Sequence, residues 1–305
     1  MFLYSACIRC RYKVTIMTDI AVSQLWIYPI KSMKGISLDK VQLEQRGFQY
    51  DRRWMLIDKD NRFITQRQYP RMTLIEPSFE SDVMDFGLSV RAPEMPVLII
   101  PYPDPQIELY DEVEVTCWDD QVKAQHINTA IDNWFSEFLD IDCQLVYMPD
   151  TTLRQVDPDY AMSEKGADIA SFSDGFPNLV ISEASLDDLN SRVDIDLTMD
   201  RFRPNIVLSG CKPYEEDSLG HFKINQIDFY AVKPCSRCVI TTINPQTGQK
   251  ESREPLQTLS KFRKKKNKVF LGQNLLHKLT YGSDNRLNVG DKVEIIKASG
   301  ALIFD

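Results

Sequence analysis

Val22-Ser-Gln-Leu-Trp-Ile-Tyr28, with Trp54-Met-Leu-Ile57 and Phe63-Ile-Thr65 after it, opens the readable part of this chain with short runs of β-branched and aromatic residues. A period of two puts successive side chains on opposite faces of a strand, and runs of this length are strand lengths. Asp58-Lys-Asp-Asn61 between the last two runs is turn-forming and predicts a hairpin. Similar runs at 88–90, 97–100, 114–118 and 143–147 continue the pattern. Ile127, Ala130, Ile131, Trp134, Phe135 and Phe138 instead recur at helical spacing, so one helix is expected there. Many short strands and few helices call for a twisted sheet or small barrel.

The polar, irregular stretch 149–172, with Arg154, Asp157, Pro158 and Asp159, reads as a linker or as a loop over a site, and a domain boundary is expected near residue 150. Beyond it, Ser182 is the N-cap of a helix through Leu186, Leu189 and Val193. Strands follow at 206–208, 227–232, 239–243, 269–271 and 293–296, with a capped helix starting near Pro255. The expected class is α+β, mainly β. A tail of 1–20 precedes a β-barrel-like domain at 21–150 and a second barrel domain with a few peripheral helices at 151–298, and a tail covers 299–305.

Two domains of that size bury their own cores without disulfides. No apolar run reaches the roughly 18 residues of a membrane span, so a soluble protein is expected. A net charge of -8 argues against nucleic-acid binding, which depends on a basic surface. Seven cysteines without framework spacing suit a reducing compartment, and the cytoplasm is the simplest expectation. The first 18 residues carry Arg9, Arg11 and Lys13 and no acid, faintly like a transit peptide. An over-extended start, with the natural opening at Met17, is the better reading.

The densest chemical signal is Lys233-Pro-Cys-Ser-Arg-Cys238, running into Val239-Ile-Thr-Thr-Ile243 and the turn Asn244-Pro-Gln-Thr-Gly248. Such a cysteine pair is half a zinc site, a redox dithiol, or one ligating thiolate beside a bystander. Zinc needs a second pair, and the one with that spacing, Cys7 and Cys10, falls in the segment set aside. A thioredoxin-like dithiol wants a helix start, where here strand-formers follow. A thiolate ionised beside a cation such as Arg237 suits a soft-ligand metal site whose remaining ligands come from a cofactor, since the chain has only three histidines. Cys235 reads as the bystander, and Cys117, Cys143 and Cys211 as core residues.

The residues also carry a family resemblance. Ile27-Tyr-Pro-Ile-Lys-Ser32, Asp51-Arg-Arg-Trp54, Thr65-Gln-Arg-Gln68, the segment DGFPNLVISEASLDDLN from Asp174, Arg201-Phe-Arg-Pro-Asn205 and the cysteine motif occur in that order along nearly the whole chain. Together they resemble MOSC-domain proteins that carry an N-terminal MOSC β-barrel domain, the family of the mitochondrial amidoxime reducing component and its bacterial relatives. The resemblance implies a molybdenum cofactor (Mo-molybdopterin) whose metal takes the sulfur of Cys238. It implies cofactor contacts at Lys31, Ser32, Arg52, Arg203 and Asn205, with the Gly175 amide and Arg67 as further candidates. Where relatives have small hydroxyl residues after the aspartate, this chain has Gly175 and Phe176. Lysine and arginines suit the cofactor's phosphate through charge-assisted hydrogen bonds. Read one at a time, Lys31 and Ser32 end a strand and Arg52 and Arg203 pair with surface carboxylates.

The activity implied is reduction of N-hydroxylated small molecules, with no residue identifiable as a general acid. The alternative is a cofactor or sulfur carrier without turnover; the absence of a pyridoxal-phosphate domain argues against self-sufficient sulfur transfer. The chain stops soon after its last strand, so electrons are expected from a separate flavin, haem or iron-sulfur protein. Lys261-Phe-Arg-Lys-Lys-Lys-Asn-Lys268, six basic residues in eight, is either a solvated loop or the docking patch for that donor. A metal-free module that presents this loop to an anionic partner is the remaining reading.

Overall fold

The computed structural model describes residues 19–79, 87–102, 111–163, 167–300 and 304. Residues 1–18, for which an over-extended start is the expectation, and residues 301–303 and 305 of the expected tail lie outside the described residues. The described chain is mainly β, with three short α-helices. Among the described residues, no helix is long and apolar enough to cross a membrane.

The largest sheet runs in space through Val293–Lys297, His221–Ile224, Ile227–Ser236, Lys268–Lys278, Asn178–Ser182, Ile206–Ser209, Ala21–Ile27 and Ile36–Leu38, with Lys264–Lys265 paired to the side. It curls until Val293–Lys297 meets the start of Ala21–Ile27. Ala21 bridges Lys292 there, and Val293 N donates to Ile20 O at 2.9 Å. Closure removes the exposed edges an open sheet would leave. Inside lie Val22, Leu25, Ile27, Val180, Ile206, Leu208, Phe222 and Phe229, all buried. The sheets do not divide at residue 150. Ala21–Ile27 belongs to the large barrel through Ile206–Ser209, and Arg286–Asn288 pairs with Lys40–Glu44.

The other half holds a four-stranded sheet of Trp54–Ile57, Gln144–Tyr147, Asp120–His126 and Glu112–Cys117, and a three-stranded sheet of Glu76–Ser78, Gly87–Arg91 and Leu98–Pro101. Trp54 and Leu56 face one core, Met55 and Ile57 another. That strand is buried on both sides, which explains its uninterrupted apolar sequence. Helix Thr129–Leu139 turns Ile131, Trp134, Phe135 and Phe138 inward, and the Asn128 side chain caps it by accepting from Ile131 N at 2.9 Å.

Several local expectations need correction. The turn at Asp58 to Asn61 forms, with Asn61 N donating to Asp58 O, but residues 63–65 are not a strand. The hairpin closes only briefly: Asp58 N donates to Arg62 O, Ile64 N to Leu56 O and Ile57 bridges Phe63, while Phe63 N turns to Thr116 O and the longer register of Trp54–Ile57 lies with Gln144–Tyr147. Val239 to Ile243, expected as a strand, is a 3-10 turn at Val239–Thr242. The hydroxyls of Thr241 and Thr242 donate to the carbonyls of Cys238 and Val239, so local side-chain bonds override β propensity. Ser182 does cap a helix, but Glu183–Asn190 stops before Val193. The helix near Pro255 is the single turn Leu256–Leu259 without a side-chain cap. Val97 is exposed outside its strand, and Cys211 is only half-buried, unlike Cys117 and Cys143.

Candidate functional site

One cavity is lined by Lys31, Ser32, Arg52, Gly175, Arg203, Asn205 and Cys238, drawn from five separate chain segments. Ser173, Asp174, Phe176, Asn178, Arg201 and Arg237 also line it. The expected single-residue alternatives, a strand end and arginines paired with surface carboxylates, do not describe this arrangement.

Backbone pairing assembles the first wall. Lys31 N donates to Trp54 O, Arg52 N to Tyr28 O and Trp54 N to Pro29 O, so the two motifs run side by side. Asp51 is buried and its Oδ1 accepts from Tyr28 N at 2.8 Å. Arg52 Nη1 donates to both Asp51 oxygens, at 2.8 and 2.6 Å, and to Asn205 Oδ1 at 3.2 Å. Burial pushes the Asp51 carboxyl up against the opposing pull of Arg52, so this ion pair is needed to keep a charge in the interior. The guanidinium of Arg52 and that of Arg203 each lie 4.2 Å from the Tyr28 ring centroid. Burial, with Arg52 nearby, pushes Arg203 down to about 10.

Ser32, Arg52 and Arg203 share an unusual backbone, with φ of 67°, 49° and 55°. Left-handed residues other than glycine cost about 1 kcal/mol or more each, and such strain gathers at functional sites. Nothing in residue type announces it.

Lys31 is buried, and its ammonium donates to Phe172 O and Asp174 Oδ1, both at 2.7 Å. Desolvation would raise the Asp174 carboxyl, but the charges of Lys31 and Arg67 outweigh it and hold the group well below the usual carboxylate range. Asn205 is engaged as scaffold: its Oδ1 accepts from Arg52 and from Leu179 N, and its Nδ2 donates to Trp26 O at 3.1 Å. A side chain at Gly175 would meet nothing within 4 Å, so this position leaves open space.

Strand Ile227–Ser236 delivers Cys235 to the cavity, and Cys238 follows just beyond its end. Desolvation pushes the Cys235 thiol up. The cation at the Cys238 sulfur is not Arg237. That side chain turns to Leu271 O and Phe202 O. Arg67 takes the position instead, with Nη2 3.4 Å from both Cys238 Sγ and Asp174 Oδ2 and its guanidinium 4.8 Å from the Trp118 ring centroid. A tight turn aims it: Gln68 N donates to Thr65 O and Arg67 N to Thr65 Oγ1.

Sequence reasoning missed Ser173, Asn178 and Arg201 as lining residues. Ser173 Oγ, Asn178 Oδ1 and Arg201 Nε are buried without a protein partner. Arg201 and Asn178 stand inside motifs that carry the resemblance, a usable signal, whereas Ser173 precedes its motif and had none. Among the described residues no three His, Cys, Asp or Glu side chains cluster as a metal site, so a metal at Cys238 would need ligands from a cofactor.

The basic run is a tight hairpin, Lys264–Lys265 paired with Lys268 and Val269. Lys261, Lys264, Lys265, Lys266 and Lys268 are exposed, but Arg263 is buried and pairs with Asp217 at 2.6 Å. It is therefore a lysine cluster anchored by one structural arginine.

Two family models match the chain. Residues 19–142 match the MOSC N-terminal beta barrel domain and residues 168–294 the MOSC domain. Mitochondrial amidoxime-reducing component 1 of Mus musculus is 35% identical over 247 residues, 79% of this chain and 71% of that protein. Mitochondrial amidoxime reducing component 2 of Bos taurus is 34% identical over 248 residues, 79% and 72% of the two chains. Mitochondrial amidoxime-reducing component 1 of Homo sapiens is 33% identical over 247 residues, again 79% and 72%.

Proposed function

The chain belongs to the family that joins a MOSC N-terminal beta barrel domain to a MOSC domain, and from that premise we propose that it holds a molybdenum-pterin cofactor at Cys238 and reduces small N-hydroxylated molecules. The observation that carries this reading is the sulfur of Cys238, with that of Cys235 beside it, on the wall of a cavity whose charged lining comprises Lys31, Arg52, Arg201, Arg203 and Arg237 against Asp174 alone. In a chain of net charge -8 that concentration of cations fits an anionic group. The orphaned atoms of Ser173, Asn178 and Arg201 are polar sites such a group would satisfy.

Cys238 would supply the protein ligand, Lys31, Arg52 and Arg203 would hold the anionic tail, and Ser32 and the Gly175 amide would add hydrogen bonds. Asn205 and Asp51 would act by holding Arg52. The bound cofactor would supply the two-electron chemistry that breaks an N–O bond, while the protein orients and neutralises charge. The remaining candidate, Arg67, lies against the sulfur and would fix its position in the site. Electrons would come from a separate donor protein meeting the lysine cluster at 261–268. The five described cysteines are all free, which suits a reducing compartment such as the cytoplasm.

The test is molybdenum content in wild type, Cys238→Ala and Cys235→Ala, followed by reduction of an amidoxime with an artificial electron donor. Metal and turnover are expected in wild type and Cys235→Ala and lost in Cys238→Ala. Metal without turnover in wild type would favour a carrier, and metal retained by Cys238→Ala would sink the assignment.

A further inference from the structure

One group of residues beside the cavity has no part in the cofactor roles proposed above. Phe176 lines the cavity, and its ring meets Tyr160 edge-on with centroids 5.8 Å apart. Tyr160 comes from the polar stretch that ties back through Val156 N to Asp168 O and Ala170 N to Arg154 O. Lys233 lies against both rings, its Nζ 4.0 Å from the Tyr160 centroid and 5.6 Å from that of Phe176. On its strand Lys233 pairs with Asn274, which lines the cavity, and Cys235 two residues on lines it as well. Among the described residues this ammonium has ring contacts but no carboxylate or hydrogen-bond acceptor. The basic side chains that line the cavity are each engaged, by contrast: Lys31 with Asp174, Arg52 with Asp51, Arg201 with Ile243 O, Arg203 with Met33 O and Arg237 with Leu271 O.

We propose that Lys233, held at the mouth of the site by Tyr160 and Phe176, binds the substrate and selects N-hydroxylated molecules that carry an anionic group beside a flat apolar body. The inference rests on the reductase reading above. The rings give an apolar face for the body of the substrate, and they hold the ammonium without neutralising it. An incoming carboxylate therefore meets a cation that has no competing anion.

The probes are benzamidoxime and 4-carboxybenzamidoxime, which share the reducible group and differ by one charge. With molybdenum-loaded protein and an artificial donor, the carboxylated compound is expected to show a KM about tenfold lower. Lys233→Gln should bring the two KM values together and leave kcat and the KM for benzamidoxime unchanged, while Lys233→Arg keeps the preference. Titration calorimetry with benzamidine and 4-carboxybenzamidine reads the same preference without turnover. If wild type reduces neither amidoxime yet prefers the carboxylated amidine through Lys233, the reductase reading fails and the anion site stands. An equal preference in wild type and Lys233→Gln, in either assay, overturns the proposal.

Discussion

Arg67 Nη2 lies 3.4 Å from the sulfur of Cys238, although 171 positions separate the two residues. The same guanidinium reaches Asp174, whose side chain is 61% exposed, so that pair contributes only ~0–1 kcal/mol to folding. Arg67→Ala should accordingly lower molybdenum retention while shifting thermal stability by no more than about 1 kcal/mol. Metal analysis and thermal melts on one preparation check it. A variant that keeps its metal would remove Arg67 from the site.

Ser32 is buried at φ 67°, where a β carbon is strained. Glycine relieves that strain at the expense of greater freedom in the unfolded chain. Ser32→Gly is expected to leave stability unchanged or raise it by up to about 1 kcal/mol, and Ser32→Val to lower it by roughly 2 kcal/mol. Opposite signs in urea titrations would show that the hydroxyl, not the backbone, sets the position.

His277 gives the fold a pH dependence. The Glu44 carbonyl can only accept, so the ring hydrogen sits on Nε2 at 2.8 Å and Nδ1 accepts from Asn178 at 3.2 Å. Burial pushes this imidazole down from 6.5 to about 4. Between those values the unfolded chain binds a proton that the native state refuses, so stability falls as pH drops from 6.5 towards 4 and this contribution is constant outside the window. A loss on the order of 1–3 kcal/mol is expected in wild type, and His277→Gln should abolish that part of the slope. Because Asn178 lines the cavity, the same protonation should loosen ligand binding there.

The lysine cluster predicts how electrons arrive. Lys264→Glu with Lys265→Glu should slow reduction by an acidic donor protein about tenfold or more at low salt and leave the rate with dithionite unchanged. Raising ionic strength should slow the wild type towards the variant, since charges beyond about 10 Å are screened at 0.1 M salt. A salt-independent wild-type rate would remove docking at this hairpin.

Much of the architecture was legible in the residues. Helix Thr129–Leu139 follows from the spacing of its apolar residues, and the strands follow from short alternating runs, because both patterns depend on near neighbours. Legibility failed where hydrogen bonding, to a distant segment or to a near neighbour, overrode strand propensity. Residues 63–65 carry strand-forming side chains, yet their pairing with Trp54–Ile57 shrinks to the bridge between Ile57 and Phe63, whose N turns to Thr116 O. Val239–Thr242 carries β-branched residues, yet threonine hydroxyls folded it into a turn.

By itself the sequence determined the chemistry on offer: which side chains are cations, that Cys238 stands in a paired-cysteine motif, and that the chain would build barrels. Only the tertiary structure decided which of those groups meet. Closing the barrel between Ala21 and Lys292 and pairing the segment after Tyr28 with the one after Asp51 brings Lys31, Arg52 and Arg203 to the wall that holds Cys238. It also puts Arg67 rather than Arg237 at the sulfur. Separations of 150 residues and more leave no local signal, since loop closure costs grow only slowly with length and the pairing is chosen by burial of both sheets at once.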